Sequence, residues 1–326
     1  MPLEWARRKA GPTLIWALIS NCYNQAVMTA DDFVREEACV SAEGVEWLAV
    51  PAWSSLDWLW HGFSTRRNGL SRVYLAEGET AHGCGAGVGE LNLGFTAGDD
   101  AACVQENRLR LIGAVTGSRE TELITVRQVH SDVSVVAFSG SKEDPATADG
   151  ILTDKDGLLL GILTADCIPV LVADPARRAV AAFHAGWRGT VQRVVESGIA
   201  KMRAEFGSQP EQLIAAIGPG IGACCYTVGE EVRREFESRF EYAAELFSVP
   251  NTNDGAGLVL RLNLTEANRR QLMAAGLSAG AIATVGGCTS CQPERFYSHR
   301  ASGGRAGRMM AVIGIRPERG LGCSRA

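Results

Sequence analysis

The chain has 326 residues, 46% of them hydrophobic, with a formal net charge of −5 and a pI near 5.7. That length and apolar content suffice for one large core or two small ones. A mildly acidic balance without basic blocks speaks against a nucleic-acid or anionic-membrane surface. The ten cysteines are spread along the chain without small-scaffold spacing, and two are adjacent, Cys224 and Cys225. Such usage fits a reducing, cytoplasmic setting.

Near the start, Arg7-Arg8-Lys9 precedes a modestly apolar stretch, residues 14–19, that faintly imitates a secretory leader. Gly11-Pro12 interrupts it, no small-x-small cleavage site follows cleanly, and it is too short to span a bilayer. Residues 1–27 read as an extension upstream of a start at Met28, or as a disordered leader. The expected organisation is a poorly ordered extension over 1–40, one catalytic domain over 41–318 and a tail over 319–326.

In chain order, the patterns predict strands over 45–50 and 58–64, then a Gly-rich surface loop over 83–89. A helix follows over 99–115, with Val104, Arg108, Leu111, Ile112 and Val115 on one face. Strands over 123–129 and 133–138 flank His130, and strands over 151–153 and 158–163 lead into Cys167. Residues 169–174 and 179–184 read as a hairpin around Pro175-Ala176-Arg177-Arg178, with Pro where a type I turn favours it. A helix over 190–206 carries the stripe Val191, Val194, Val195, Ile199 and Met202. A strand over 213–217, a Gly/Cys-rich loop, a charged helix from about 230 and a strand over 259–263 come next. Asn263-Leu264-Thr265-Glu266 then opens a helix with capping-box spacing, and Gly276 closes it. Strands over 281–285 and 309–315 end the pattern. Strands outnumber helices and hairpins are frequent, so the expected class is α+β, a mixed sheet with helices outside.

Folding the hairpin about its turn places Cys167 opposite residue 184, or opposite 186 if the loop is longer. Cross-strand neighbours have Cβ atoms about 4.5–5.5 Å apart. A thiol and an imidazole at that separation can share a metal ion or act as nucleophile and base. Arg188 precedes Gly189-Thr190, where Thr190 is expected to cap the next helix; a capped helix start beside an arginine suits a phosphate. His61 reads as core or rim, and His82 and Cys84 as an exposed loop pair. Cys288-Thr289-Ser290-Cys291 is a CxxC without a second CxxC, so packing cysteines are expected there. His299 either lines the pocket or faces solvent.

Several segments occur together in a family order: Gln128-Val129-His130, Ala148-Asp149-Gly150, Thr164-Ala165-Asp166-Cys167, His184-Ala185-Gly186-Trp187-Arg188-Gly189, Ile217-Gly218-Pro219-Gly220-Ile221-Gly222, Cys224-Cys225-Tyr226 and Phe296-Tyr297-Ser298-His299-Arg300. Weaker matches are His61-Gly62-Phe63-Ser64-Thr65-Arg66 and Leu91-Asn92-Leu93-Gly94. Over roughly residues 45–316 the chain resembles the YfiH-like family, also known as the polyphenol oxidase or laccase-domain family and as purine nucleoside phosphorylases. The resemblance implies an α/β/β/α sandwich related to the cytotoxic-necrotizing-factor deamidases. It also implies a zinc site on His130, Cys167 and His184, leaving a fourth position open.

The resemblance further implies phosphorolysis of adenosine, inosine and methylthioadenosine, with adenosine deamination at the same site. Asp166 is a candidate for proton transfer, or for orienting a ligand histidine. Arg66, Asn92, Arg188, Ser298 and Arg300 are the expected substrate contacts, with purine nucleoside and phosphate as the partners. Copper is the alternative ion, but five histidines are too few for a multicopper laccase. Rival readings are a Cys–His hydrolase editing peptidoglycan precursors, a copper-dependent polyphenol oxidase, and a non-catalytic metal-binding protein. The sequence leaves the oligomeric state open; a monomer is the default.

Overall fold

The computed structural model describes residues 37–75, 89–140, 145–249 and 259–318. In chain order the strands are β1 (Glu37–Val40), β2 (Glu46–Ala49), β3 (Leu59–Ser64), β4 (Glu122–Thr125), β5 (Ser134–Val136), β6 (Gly150–Thr153), β7 (Leu158–Thr164), β8 (Ile168–Asp174), β9 (Ala179–Ala185), β10 (Ile214–Ile217), β11 (Thr227–Val228), β12 (Phe247–Ser248), β13 (Leu260–Leu262), β14 (Ile282–Thr284) and β15 (Met309–Ile315). The helices are α1 (Ala101–Thr116), α2 (Trp187–Val191), α3 (Val194–Phe206), α4 (Glu230–Glu237), α5 (Ala243–Leu246) and α6 (Leu264–Ala274). Among the described residues, strands pair into two six-stranded sheets, β1-β2-β3-β15-β7-β4 and β14-β10-β8-β9-β6-β5, with a small sheet β11-β13-β12.

The long strands are apolar throughout because both of their faces are buried, and side-chain parity sorts them between two cores. Leu171, Ala173, Val180 and Ala182 of the second sheet meet Leu160, Ile162, Ala311 and Ile313 of the first. Their chain neighbours Val170, Val172, Ala181 and Phe183 face the other way, against Val194, Val195 and Ile199 of α3 and Leu272 of α6. On the outer face of the first sheet, Leu159, Met310 and Val312 pack on Leu111 and Ile112 of α1. The order is helix, sheet, sheet, helix. Each large aliphatic side chain buried this way contributes roughly 1.5–3 kcal/mol. Gly198 lets α3 sit close on the sheet, since a Cβ there would run into the Phe183 ring.

Several local expectations change. Of the two registers expected for the hairpin, the second is found: Asp174 pairs with Ala179 and Ile168 with Ala185, a four-residue loop, which puts Cys167 opposite Gly186. The helix expected over 190–206 is two helices, α2 and α3, broken where Arg193 adopts a left-handed φ of 65°. That conformation is held by Arg193 bonding Glu196 at 2.8 and 3.0 Å and the carbonyl of Arg239 at 2.9 Å. The strand expected over 123–129 ends at Thr125. Beyond it, the Gln128 side-chain amide bonds both backbone groups of Leu163 at 2.8 Å and substitutes for a ladder pair. On α1 the buried polar position is Asn107, not Arg108. Residues 37–40, expected within the extension, form β1 against β2. The expectations for residues 1–36, most of the Gly-rich loop, His82, Cys84 and the tail lie outside the described residues.

Candidate metal centre

Four strand ends of the second sheet meet at one edge. Neighbours β8, β9, β6 and β5 begin or finish there: Cys167 precedes β8, His184 is near the end of β9, Asp149 precedes β6, and the His130 loop leads into β5. The β6–β9 register, Gly150 with Phe183, sets Asp149 across from His184. The His184 N–H donates to the Asp149 carbonyl at 2.7 Å. His130, Cys167 and His184 converge there, with ligand atoms within 4.8 Å of one another.

Asp149 organises the site, and the sequence reading gave it no role. It is fully buried. One carboxylate oxygen accepts from His184 Nδ1 at 2.8 Å and from the His130 N–H at 3.0 Å. The other accepts from the N–H groups of Val129 and Ser131 at 3.2 and 2.6 Å, and from the Ser131 hydroxyl at 2.7 Å. Burial raises its proton affinity, but these donors outweigh burial and hold the carboxyl well below the usual range. The three consecutive N–H groups wrap the carboxylate as an anion nest. They also stabilise the left-handed φ of 63° at His130, a conformation that costs a non-glycine residue roughly 1–2 kcal/mol. With Nδ1 of His184 on the carboxylate, Nε2 is left for a metal. An Asp-Gly before a strand, in a segment already noticed, was the available signal.

The donor set suits zinc. Cys167 Sγ lies 3.9 Å from His130 Nε2, and the two imidazole centroids are 4.9 Å apart. Sulfur and nitrogen on a tetrahedral zinc would be about 3.5 Å apart. Gly186 makes the convergence possible: a Cβ there would sit 2.8 Å from His130 Cδ2 and 2.9 Å from Cys167 Sγ. Burial pushes the Cys167 thiol up, but the charge and hydrogen bonds of His184 and His130 more than offset it and bring the thiol to about 6. For His184, burial favours the neutral ring, while the Cys167 sulfur and Asp149 push the other way and prevail, to about 9.

Tyr226, Arg188 and Arg300 flank this centre. Burial raises the Tyr226 hydroxyl and the Cys167 charge adds to that, while Arg300 and Arg188 pull it down. The Arg300 guanidinium lies 5.3 Å from the Tyr226 ring centroid and bonds the Thr227 carbonyl at 2.7 Å. Arg188 stacks over Trp187 at 4.4 Å. Its expected setting is corrected. α2 starts at Trp187 with Gly186 as its N-cap, and Thr190 lies inside it, buried, its hydroxyl accepting from Asn268 at 3.2 Å. A five-residue helix offers little dipole, so the charge of Arg188 is what remains of the anion-cradle argument.

Asp166, with a left-handed φ of 85°, accepts from the Thr289 hydroxyl at 2.6 Å and the Arg300 N–H at 2.7 Å. It ties two loops together; the carboxylate orienting His184 is Asp149.

The remaining expected contacts are not among the three residues that converge. Asn92 is fully buried, its amide donating to the Gly94 carbonyl at 3.0 Å and Asp99 at 2.7 Å, its oxygen accepting from the N–H groups of Gly94 at 3.1 Å and Arg308 at 2.8 Å. Its polar atoms are saturated inside the fold, which corrects its assignment as a substrate contact. Arg66 is ion-paired with Glu90 and lies 4.7 Å over Tyr297. Arg66 and Ser298 line a cavity of about 360 Å³ with Tyr74, Tyr297 and Arg305, and the buried Ser298 hydroxyl accepts from the Ala301 N–H at 3.1 Å. His61 accepts the Val50 N–H at 3.1 Å on β3, away from the centre, as a core or rim residue. His299 sits beside Gly304 in an exposed turn. Among the described residues no helix is long and apolar enough to cross a membrane.

Comparison with known proteins places this architecture. Residues 60–316 match the family described as multi-copper polyphenol oxidoreductase laccase. The chain is 37% identical over 236 residues to the purine nucleoside phosphorylase YlmD of Geobacillus stearothermophilus, covering 70% of this chain and 84% of that protein. It is 34% identical over 242 residues to a purine nucleoside phosphorylase of Bacteroides thetaiotaomicron, covering 72% and 88%. The crystal structure of the Bacillus licheniformis hypothetical protein YfiH superposes with a TM-score of 0.71 at 30% identity, over 83% of this chain and 96% of that one. The expected mixed-sheet α/β/β/α sandwich is therefore the observed fold, and the chain belongs to the multi-copper polyphenol oxidoreductase laccase family, the YfiH-like family of its sequence motifs.

Proposed function

We propose that this protein is a cytoplasmic, zinc-dependent purine nucleoside phosphorylase acting on adenosine, inosine and methylthioadenosine, with residues 41–318 as its catalytic unit. The supporting observation is the convergence of two imidazoles and one thiol, braced by Asp149, beside the charges of Arg188 and Arg300. His130, Cys167 and His184 would hold the ion, and zinc when bound supplies Lewis acidity at an open fourth position. In phosphorolysis a phosphate oxygen bonds to C1′ as the bond from C1′ to the base breaks, and the base then takes up a proton. Arg188 and Arg300 attract and orient the phosphate. Tyr226 and Trp187 offer aromatic surface to the nucleoside. Asp149 keeps the proton of His184 on Nδ1, so that Nε2 faces the site. Asp166 positions Arg300 through its backbone N–H. Adenosine deamination at the same centre is part of this proposal.

A second reading rests on one specific observation: Asp149, His184 and Cys167 form a chain of contacts, and the thiol is brought down to about 6. A low thiol pKa and an oriented imidazole also describe a Cys–His hydrolase. Copper remains the alternative ion for the His2Cys donor set.

The test is metal content and phosphate-dependent base release for wild type, Cys167→Ser and Arg188→Ala. For the phosphorylase, Cys167→Ser loses metal and activity together, and Arg188→Ala raises the phosphate KM with metal retained. Metal retained in Cys167→Ser, with a covalent substrate adduct on wild type, moves the assignment to the thiol hydrolase.

A further inference from the structure

The CxxC over 288–291 acquires its missing partner pair in three dimensions. The sulfurs of Cys224, Cys225, Cys288 and Cys291 all lie within 4.8 Å of one another. Cys291 Sγ is 3.5 Å from Cys224 Sγ and 3.4 Å from Cys225 Sγ. Sulfurs at the corners of a zinc tetrathiolate are about 3.8 Å apart, whereas a disulfide needs about 2.05 Å. The near-equal approach of Cys291 to both adjacent cysteines favours no single bridged pair.

Local backbone geometry prepares the cluster. The N–H groups of Cys291 and Gln292 both bond the Cys288 carbonyl at 3.2 Å, a tight turn that brings residues 288 and 291 to one side. The N–H groups of Cys225 and Tyr226 both bond the Gly222 carbonyl at 2.9 Å, which turns the adjacent pair toward them. Gly222 donates its N–H to Cys288 Sγ at 3.2 Å, the kind of contact that supports a metal-bound thiolate. A Cβ at Gly222 would lie 3.1 Å from Cys288 Cβ and 3.2 Å from Cys224 Sγ, so glycine leaves room for the sulfurs to close. Packing cysteines need neither an N–H donor nor this mutual convergence.

We propose that Cys224, Cys225, Cys288 and Cys291 bind a second ion, a tetrahedral zinc with four thiolate ligands and no open position. Soft thiolates in a four-sulfur set select such an ion. The two loops it joins already touch through the Thr289 N–H on the Gly220 carbonyl at 3.0 Å. They carry Tyr226 and Thr289, and Thr289 bonds Asp166. The ion would pin the wall of the first centre without joining its chemistry.

The test uses full-length protein, grown with zinc and purified without chelator. Zinc per chain is counted in wild type, in His130→Ala/Cys167→Ser, and in Cys288→Ser/Cys291→Ser. The deciding sample is His130→Ala/Cys167→Ser, which dismantles the first centre and keeps all four cluster cysteines. About one zinc should remain there, and cobalt loaded in its place should give the intense thiolate charge-transfer absorption of a tetrahedral sulfur site. Cys288→Ser/Cys291→Ser should lose about one zinc relative to wild type. Because the deciding sample leaves the cluster intact, poor folding of the cysteine variants does not hide the answer. Loss of the ion from the first centre alone lowers the wild-type count and leaves this prediction standing. No zinc in His130→Ala/Cys167→Ser, a disulfide among the four cysteines in unreduced peptide maps, or iron with inorganic sulfide would each overturn it.

Discussion

The candidate metal centre, which is partly buried, and the Asn92 region, which is fully buried, are both polar clusters in family-like segments, and they are built in opposite ways. Around Asn92 every amide group is satisfied from within: Gly94, Asp99 and Arg308 take its donors and acceptor. At the candidate metal centre Asp149 takes one side of His184 and leaves Nε2, His130 and Cys167 directed at a common point. Two histidines repeat the contrast. His184 faces a carboxylate that favours its proton, whereas His61 is half-buried against Trp53 and accepts a backbone N–H, and desolvation lowers it to about 4. A saturated cluster stabilises the fold. Two imidazoles and a thiol that meet chiefly one another can exchange those contacts for a shared ligand.

Asp149→Asn should break that contrast most severely. One oxygen becomes an NH2 group, which must face N–H donors on one side or the other. We expect a stability loss of about 4 kcal/mol and a 10–100-fold fall in zinc affinity. Urea unfolding and a zinc titration measure the two effects. Retention of wild-type zinc affinity would remove Asp149 from the centre.

Asn92→Ala should sharpen the contrast from the other side. The N–H groups of Gly94 and Arg308 lose their acceptor, costing about 3 kcal/mol in urea unfolding. Zinc content and the KM for nucleoside should stay at wild-type values in the folded fraction. A selective rise in that KM would return Asn92 to the substrate contacts.

The smallest effect concerns His61. Its folded value, about 4, lies below the ordinary 6.5, so the unfolded chain binds the proton first as pH falls. Its contribution is therefore complete above the ordinary value and declines as pH drops toward the folded one. The loss should reach roughly 2 kcal/mol after allowance for solvent screening. His61→Gln, which can still accept the Val50 N–H, should flatten the decline. Parallel stability curves for the two proteins between pH 7 and 4.5 would show that His61 does not titrate on unfolding.

Periodicity alone located most strands, because β8, β9 and β15 are buried on both faces and read as unbroken apolar runs. It located the stripe of α3, and capping-box spacing located the Asn263 cap, whose side chain accepts from the Glu266 N–H. The hairpin turn limited Cys167 to facing residue 184 or 186, and the motif resemblance nominated His130, Cys167 and His184 together. The rest depended on contacts between segments distant in sequence. Loop length fixed the register opposite Gly186. The left-handed Arg193 broke a helix whose pattern is continuous, because its side chain bonds Glu196 and a carbonyl 46 residues away. Asp149 gained its role only when β6 paired with β9 and β5 brought the His130 loop alongside. Asn92 lost its expected role for a related reason: its partner Arg308 is 216 residues away. Sequence determined which segments bury apolar surface and which residues carry usable donors. Tertiary structure decided which donors were satisfied within the protein, because hydrogen-bond geometry depends on neighbours in space.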